Sequence, residues 1–411
     1  MKRYNPFKPG SIVGPGMFSG RIEELNILER VLFQTKNGNP QHFLIQGERG
    51  IGKSSLLFYF NYVASGELES SSGDSFKFLT VNIELEPSNN YFDIIRKVGA
   101  ELRRVVASNQ RAMELVKTAW DFLKRWEVLG VKYSERDRAA EPHELLDELT
   151  HTVEQTVSAM GTEFDGILIL IDEADKPPPK ANLGEFIKIF TERLTKRGCN
   201  KVSLGMAGLS GVIRKLRESH ESSPRIFEIL SLEPLLKNER VQVVRRGLAI
   251  SEEKNGYKTE ITPDAENWIS VFSEGYPHFI QQFAYSAFEE DNDNNIDTDD
   301  VGRGALKENG AFQQLGLKYF HEQYYDQIGA DEYRDVLRFM ASHIDDYVTK
   351  QDIRDATGIK ETTLTNAIKA LRDRKIIIPM EGKKGVYRLP TKSFAVWIKS
   401  FTGSPPTSVT S

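Results

Sequence analysis

The 411-residue sequence predicts an α/β protein: a three-layer αβα core around a five-stranded parallel sheet, a helical lid and a C-terminal winged-helix domain. Three observations predict it. Gly47-Glu48-Arg49-Gly50-Ile51-Gly52-Lys53-Ser54-Ser55 fits G-x-x-x-x-G-K-[ST], the P-loop pattern, between an apolar run (His42 to Gln46) and the start of a helix (Ser54 to Phe60). Strand, glycine loop and helix in that order are the context the motif requires. Gly166 to Ile171 is a continuous apolar strand ending in Asp172 and Glu173, as suits a strand buried on both faces at the centre of a parallel sheet. Residues 330–401 read as three helices followed by two short strands that flank a basic, glycine-bounded turn.

Composition sets the bounds. The length suggests two or three domains, and 39% hydrophobic with 27% charged residues describes an ordinary globular chain. The formal net charge is −5, so bulk charge predicts no nucleic-acid binding and any such site must be a local patch. Cys199 is the single cysteine. It excludes an intramolecular disulfide framework and a Cys-based zinc site, and it fits a reducing, cytoplasmic setting. The N-terminus has no apolar signal-peptide core. The densest apolar run, Ile167 to Ile171, is far too short to span a bilayer, so no membrane association is expected.

In chain order, residues 1–19 are rich in Pro and Gly and read as an extended strap, and an amphipathic helix follows to about Gln34. The P-loop comes next. Its glycines let the backbone curl so that successive N–H groups point at phosphate oxygens, and the helix start adds a partial positive charge. Gly47 to Ser55 is therefore the expected nucleotide cradle, with Lys53 on the β- and γ-phosphates and the Ser54 hydroxyl on Mg²⁺. Phe76 to Glu84 alternates and reads as the second strand, with Phe78, Thr80 and Asn82 on one face. Tyr91 to Val106 is helical. Residues of about 110–160 read as a helical insertion with an apolar stripe of Trp120, Phe122, Leu123, Trp126 and Leu129. At the end of the third strand, Asp172 would hold Mg²⁺ through water and Glu173 would activate the attacking water, the Walker B arrangement. Residues 172–175 spell D-E-A-D, but no second P-loop-type core follows, so the helicase spelling is taken as incidental. Val202 to Gly208 is the fourth strand and Ile226 to Leu232 the fifth.

Phe18-Ser19-Gly20-Arg21-Ile22-Glu23-Glu24-Leu25, a few dozen residues before the P-loop, resembles the N-terminal box of AAA+ ATPases, above all the archaeal origin-recognition-like initiators and the related STAND ATPases. The resemblance covers most of the chain. It implies that the box packs beside adenine, and that ATP with Mg²⁺ is the cofactor. It implies a polar sensor at the end of the fourth strand, where this chain offers Ala207-Gly208. It implies that Arg225, just before the fifth strand, reaches the nucleotide of a neighbouring subunit as an arginine finger, with Arg214 and Arg217 as weaker candidates. Gly275-Tyr276-Pro277-His278 resembles the lid turn in which the proline borders the adenine and the next residue senses phosphate. Here that residue is His278, a weaker phosphate partner than arginine. The implied assembly is an ATP-dependent homo-oligomer.

The sequence divides into an ATPase core with its strap (1–234), a helical lid (235–329), a winged helix (330–402) and a disordered tail (403–411). Asp291 to Asp300 alternates oxygens like a calcium loop but has Ile296 where glycine is required, so a solvated acidic loop and an N-capped helix are expected. Residues 330–401 hold 14 Lys and Arg against 10 Asp and Glu, about +4. Lys360, Asn366, Lys369 and Arg372 on the third helix and Lys383 and Lys384 in the wing are the candidate contacts to duplex DNA. Two functions follow. The first is an ATP-binding and ATP-hydrolysing switch that oligomerises and contacts DNA. The second is a STAND-like signalling or scaffold ATPase that controls a partner effector protein, for example in anti-phage defence, favoured by the net acidity, the insertion and the unusual sensor positions.

Overall fold

The computed structural model describes residues 3–129, 142–344 and 346–402. The expected tail at 403–411 and part of the insertion, 130–141, lie outside the described residues. The chain divides into two compact units. One spans residues 12–233. The other combines the residues up to 11 with those from 234 onward. The strap therefore splits, and its first part belongs with the C-terminal unit rather than with the core to which the sequence reading assigned it.

The first unit is built from α1 (Ile22–Lys36), β1 (His42–Gln46), α2 (Lys53–Ser65), β2 (Phe78–Glu84), α3 (Tyr91–Ser108), α4 (Gln110–Leu115), α5 (Trp120–Leu129), α6 (Pro142–Met160), β3 (Gly166–Asp172), α7 (Leu183–Lys196), β4 (Val202–Gly208), α8 (Val212–Ser219) and β5 (Phe227–Ser231). The strands form one parallel sheet in the order β2-β3-β4-β1-β5. Every residue of β4 is buried, and so is every residue of β3 up to Asp172. This is the pattern of strands covered by helices on both faces. β4 lies between the P-loop strand β1 and the acidic strand β3, which places whatever follows β4 between the two motifs.

The insertion is fused to this core. Trp126 is 1% exposed and lies against Gly99 of α3, where a Cβ would come within 2.2 Å of the indole. Its Nε1 donates to Thr152 Oγ1 at 3.2 Å. Leu123, Leu146, Leu149 and Val153 join the same cluster as β3 and α7. Leu123 and Trp126 of the apolar stripe are thus core, with Trp120 and Phe122 partly buried against it.

His42 shows how tightly the sheet is set. Its Nδ1 accepts the Leu204 N–H at 3.1 Å, so this nitrogen carries no proton, and burial pushes the imidazole pKa down to about 4. Between that value and 6.5 the unfolded chain binds a proton that the folded chain refuses. Stability is therefore complete at neutral pH and is lost as pH falls from about 6.5 toward 4, by ~3 kcal/mol in full. Urea unfolding at pH 7 and pH 5 should show this loss in the natural chain and a markedly smaller one in His42→Gln. Equal losses in the two proteins would refute the assignment.

The second unit begins with the strap. Arg3 pairs with Asp291 at 2.6 Å and lies 3.6 Å over the Phe288 ring, while Phe7 meets Phe288 edge-on and fills the space beside Gly247. Asp291 is thus buried and paired rather than part of a solvated loop. Asp297 caps the next helix in a capping box with Asp300, as the sequence suggests. The helices are α9 (Lys237–Asn255), α10 (Pro263–Ser273), α11 (Pro277–Glu290), α12 (Thr298–Leu306) and α13 (Ala311–Leu315), with a two-stranded parallel pair, β6 (Glu260–Ile261) and β7 (Asn295–Ile296). After two π-helical turns come α14 (Asp331–Ala341), β8 (Val348–Thr349), α15 (Lys350–Thr357), α16 (Glu361–Asp373), β9 (Ile378–Pro379), β10 (Val386–Arg388) and α17 (Lys392–Phe401). The antiparallel order β8-β10-β9 behind three helices is that of a winged helix. The buried Glu274 carboxylate, its pKa raised to about 7 by burial, accepts the Lys392 N–H at 2.6 Å and so ties the turn after α10 to the start of α17.

Candidate functional site

The P-loop leaves β1 at Gly47 and enters α2 at Lys53. Gly50 and Gly52 hold φ of 79° and 98°, left-handed values that a side chain would resist. Ile51 is 1% exposed and pins the loop from inside. No side chain caps α2, so its first N–H groups face the loop's own concavity, the arrangement that receives an anion. Lys53 Nζ donates to Gly47 O at 3.1 Å and to Glu48 O at 2.9 Å. Burial lowers its pKa, and the charges of Asp172, Glu173, Asp175 and Glu48 oppose that shift. The structure thus brings the sequence-predicted lysine and both sequence-predicted acids into one field. Ser54 is half-buried in the first turn, and Ser55 Oγ accepts the Val13 N–H at 3.4 Å.

Asp172 ends β3 opposite Glu84 of β2. Its Oδ1 accepts the Glu173 N–H at 2.7 Å, while its Oδ2 makes no hydrogen bond among the described residues. Glu173 has φ of 55°, an uncommon value for a residue with a side chain. That turn carries its carboxylate to Lys176 at 3.5 Å, and Lys176 also meets Glu84 at 3.2 Å.

The N-terminal box supports the loop. Arg21 is buried at 7% exposure, donates from Nη2 to Ile51 O at 3.1 Å and pairs with Glu24 at 3.0 Å. Phe18 stacks on Tyr59 of α2 at 4.5 Å. The F-x-G-R spacing signals this buttress, but its contact with the P-loop carbonyl is visible only in three dimensions.

Ala207 and Gly208 are buried strand residues, so the end of β4 carries no polar side chain. The first polar side chain beyond the strand is Ser210, exposed and without a hydrogen bond from its hydroxyl among the described residues. Asp175, the last letter of D-E-A-D, is held within the fold. Its Oδ1 accepts the Leu209 N–H at 2.7 Å.

Arg225 lies in the 3₁₀ turn Ser223–Ile226 that leads into β5. It is exposed, and its side chain makes no hydrogen bond or ion pair among the described residues. Phe227 pairs with His42 at the start of β1, so Arg225 sits at the opposite end of the sheet from Gly47. A strand of five residues separates the two ends by roughly 16 Å, so Arg225 does not serve its own P-loop. Arg214 and Arg217 are exposed on α8, and Arg214 pairs with Glu218 at 3.6 Å.

Pro277 and His278 open α11 in the other unit, where the His278 ring meets Tyr319 at 5.1 Å. In the C-terminal domain Leu364, Ala367, Ile368 and Leu371 bury one face of α16. Lys360, Asn366, Lys369 and Arg372 stand exposed, as do Lys383 and Lys384 in the wing. Glu361 was not foreseen. It pairs with Lys350 and, at 3.5 Å, with Arg354, and so neutralises part of this surface.

No protein-family model matches the chain. An uncharacterised HTH-type transcriptional regulator of Methanocaldococcus jannaschii is 24% identical over 247 residues, covering 60% of this chain and 57% of the relative. A Walker-type ATPase of Pyrococcus abyssi superposes with a TM-score of 0.54 at 17% identity, over 93% of this chain and 96% of the other. The ORC2 protein of Aeropyrum pernix, in ADPNP–ADP complexes, gives 0.57 at 13% identity over 97% and 96%. The chain thus shares its fold with these two proteins across nearly its whole length. Among the described residues no helix is long and apolar enough to cross a membrane.

Proposed function

We propose that this chain, with the fold of an origin-recognition-type AAA+ ATPase, binds and hydrolyses ATP as a switch that acts on the placement of its winged helix on duplex DNA. The observation that supports it most is the single field shared by Lys53, Asp172 and Glu173 at the carboxyl ends of two parallel strands, β1 and β3, that flank β4. The backbone of Gly47 to Ser55 cradles the phosphates and Lys53 pairs with the terminal ones. Ser54 and Asp172 suit a magnesium ion: a hydroxyl in the first helical turn, and a carboxylate whose Oδ2 is uncommitted among the described residues. Bound there, the ion would neutralise phosphate charge. Glu173 takes the proton of the attacking water, after leaving Lys176. Arg225 completes the site of a neighbouring copy.

The exposed face of α16 and the wing supply the DNA contacts. Duplex affinity should fall steeply with salt, as phosphate-dominated binding does. Lys383→Glu with Lys384→Glu should lower it at least tenfold at low salt, since two phosphate contacts become repulsive. Fluorescence anisotropy of a labelled duplex measures this, and unchanged affinity would remove DNA from the account. The observation favouring the scaffold reading is Glu361 of α16, which pairs with Lys350 and Arg354 and offsets part of the positive charge there. In that reading a partner effector protein takes the place of DNA.

A further inference from the structure

Helix α17 is shared within the second unit. It packs on α14 of the winged helix and on α10 and α13 of the helical bundle before it. Its apolar side is anchored by Trp397, whose indole fills the space beside Gly316, where a Cβ would collide with it. Phe394 and Trp397 meet Phe320 at 5.1 Å and 5.9 Å. The start of α17 is held differently. The first N–H groups of a helix have no partner within it. Thr391 takes the Phe394 N–H at 3.2 Å as an ordinary cap. The Lys392 N–H goes instead to the Glu274 carboxylate at 2.6 Å, and the Ser393 N–H reaches the same carboxylate. The Ser393 hydroxyl donates to Phe272 O. Glu274 itself ends α10 with φ of 50°, in the left-handed region where glycine or asparagine is the usual choice after a helix. A glutamate in that place points to a need for its side chain. The carbonyl of Gly275 accepts the Leu235 N–H at 2.9 Å, so the same turn also holds the chain that enters α9.

We propose that Glu274 is a pH-tuned latch: its carboxylate fastens the start of α17, and with it the winged helix, to the turn between α10 and α11, and the hold weakens as pH rises. The latch does not depend on nucleotide. While α17 covers it, burial raises the carboxyl pKa from an ordinary 4.5 to about 7. Between those values the fastened state keeps a proton that the released state gives up, so the latch tightens as pH falls from 8 to 6. The neutral carboxyl still offers a carbonyl oxygen to an N–H. Among the described residues, the cations whose charge bears on Glu274 are Lys392 of α17, Arg388 of β10 and Arg240 of α9. Lysine and arginine keep their charge across that pH range.

Hydrogen exchange of the full chain, read by mass spectrometry over residues 391–402 and corrected for the intrinsic effect of pH, measures the opening. Protection of the first turn should be about tenfold greater at pH 6 than at pH 8. Protection of α16 should not change in this way, since the winged helix stays folded when released. Glu274→Gln, uncharged at both pH values and still an acceptor, should hold the first turn at both as firmly as the natural chain does at pH 6. Glu274→Ala should exchange about tenfold faster than the natural chain at pH 6, the size of a lost hydrogen bond, and show no pH dependence. The stability lost through His42 runs the other way, toward acid, so it does not produce the expected result. Equal protection at the two pH values in the natural chain, or a pH dependence that survives in Glu274→Gln, would overturn the proposal.

Discussion

Glu173→Gln is expected to lower ATP turnover by a factor of roughly 10²–10⁴, the usual worth of a general base, while nucleotide affinity holds. The amide keeps the shape of the side chain and the left-handed turn at this residue but cannot accept the proton of water. The pairing with Lys176 adds a detail. The Lys176 ammonium occupies a Glu173 carboxylate oxygen, so the natural chain must release Glu173 before that oxygen can meet a water. Steady-state turnover together with a binding titration separates the two effects. A large loss of affinity would mean that Glu173 holds the nucleotide rather than the water.

Arg225→Ala is expected to reduce turnover by about 10³, the lower range for a finger supplied from a neighbour. The argument is geometric. Arg225 stands at the far end of the sheet from its own P-loop, exposed and without a side-chain partner among the described residues. Loss of a surface arginine of that kind should leave folding and single-subunit nucleotide binding intact. Mixing supplies a sharper form of the test. Arg225→Ala keeps its own acids, and Glu173→Gln keeps its finger. Blending the two inactive proteins in equal amounts should restore roughly a quarter of the sites, because a head-to-tail interface joins one subunit's acids to the next subunit's arginine. No recovery on mixing, in a preparation shown to assemble, would mean that Arg225 acts within its own chain or not at all.

The parts of the site that were legible in the sequence are those whose chemistry demands contiguous residues. A P-loop must curl within one turn, so its glycines, Lys53 and Ser54 sit side by side. Asp172 and Glu173 had to close a strand buried on both faces, and the apolar run before them announced it. The capped helix start at Asp297 and the helical spacing of Leu364, Ile368 and Leu371 in α16 were legible for the same reason, since each is a local rule. What was hidden depends on residues far apart in the chain. Nothing near Arg3 says that Asp291 awaits it, and so the acidic stretch looked solvated. Arg21 and Ile51 are thirty positions apart, and Glu274 and Lys392 more than a hundred. The end of β4 carries Ala207 and Gly208, both buried, so it offers no polar side chain, as the sequence reads. The bond from Asp175 to Leu209 fixes the turn after it. The insertion's stripe reads as core-forming in sequence, but its partner does not: Gly99 leaves the space that the Trp126 ring fills.

The most direct test of the central claim is ATP turnover by the purified chain with and without duplex DNA, with Glu173→Gln as the blank. The account predicts magnesium-dependent turnover well above the blank and a clear rise when duplex is added. Turnover no greater than that of the blank, with and without DNA, would contradict it.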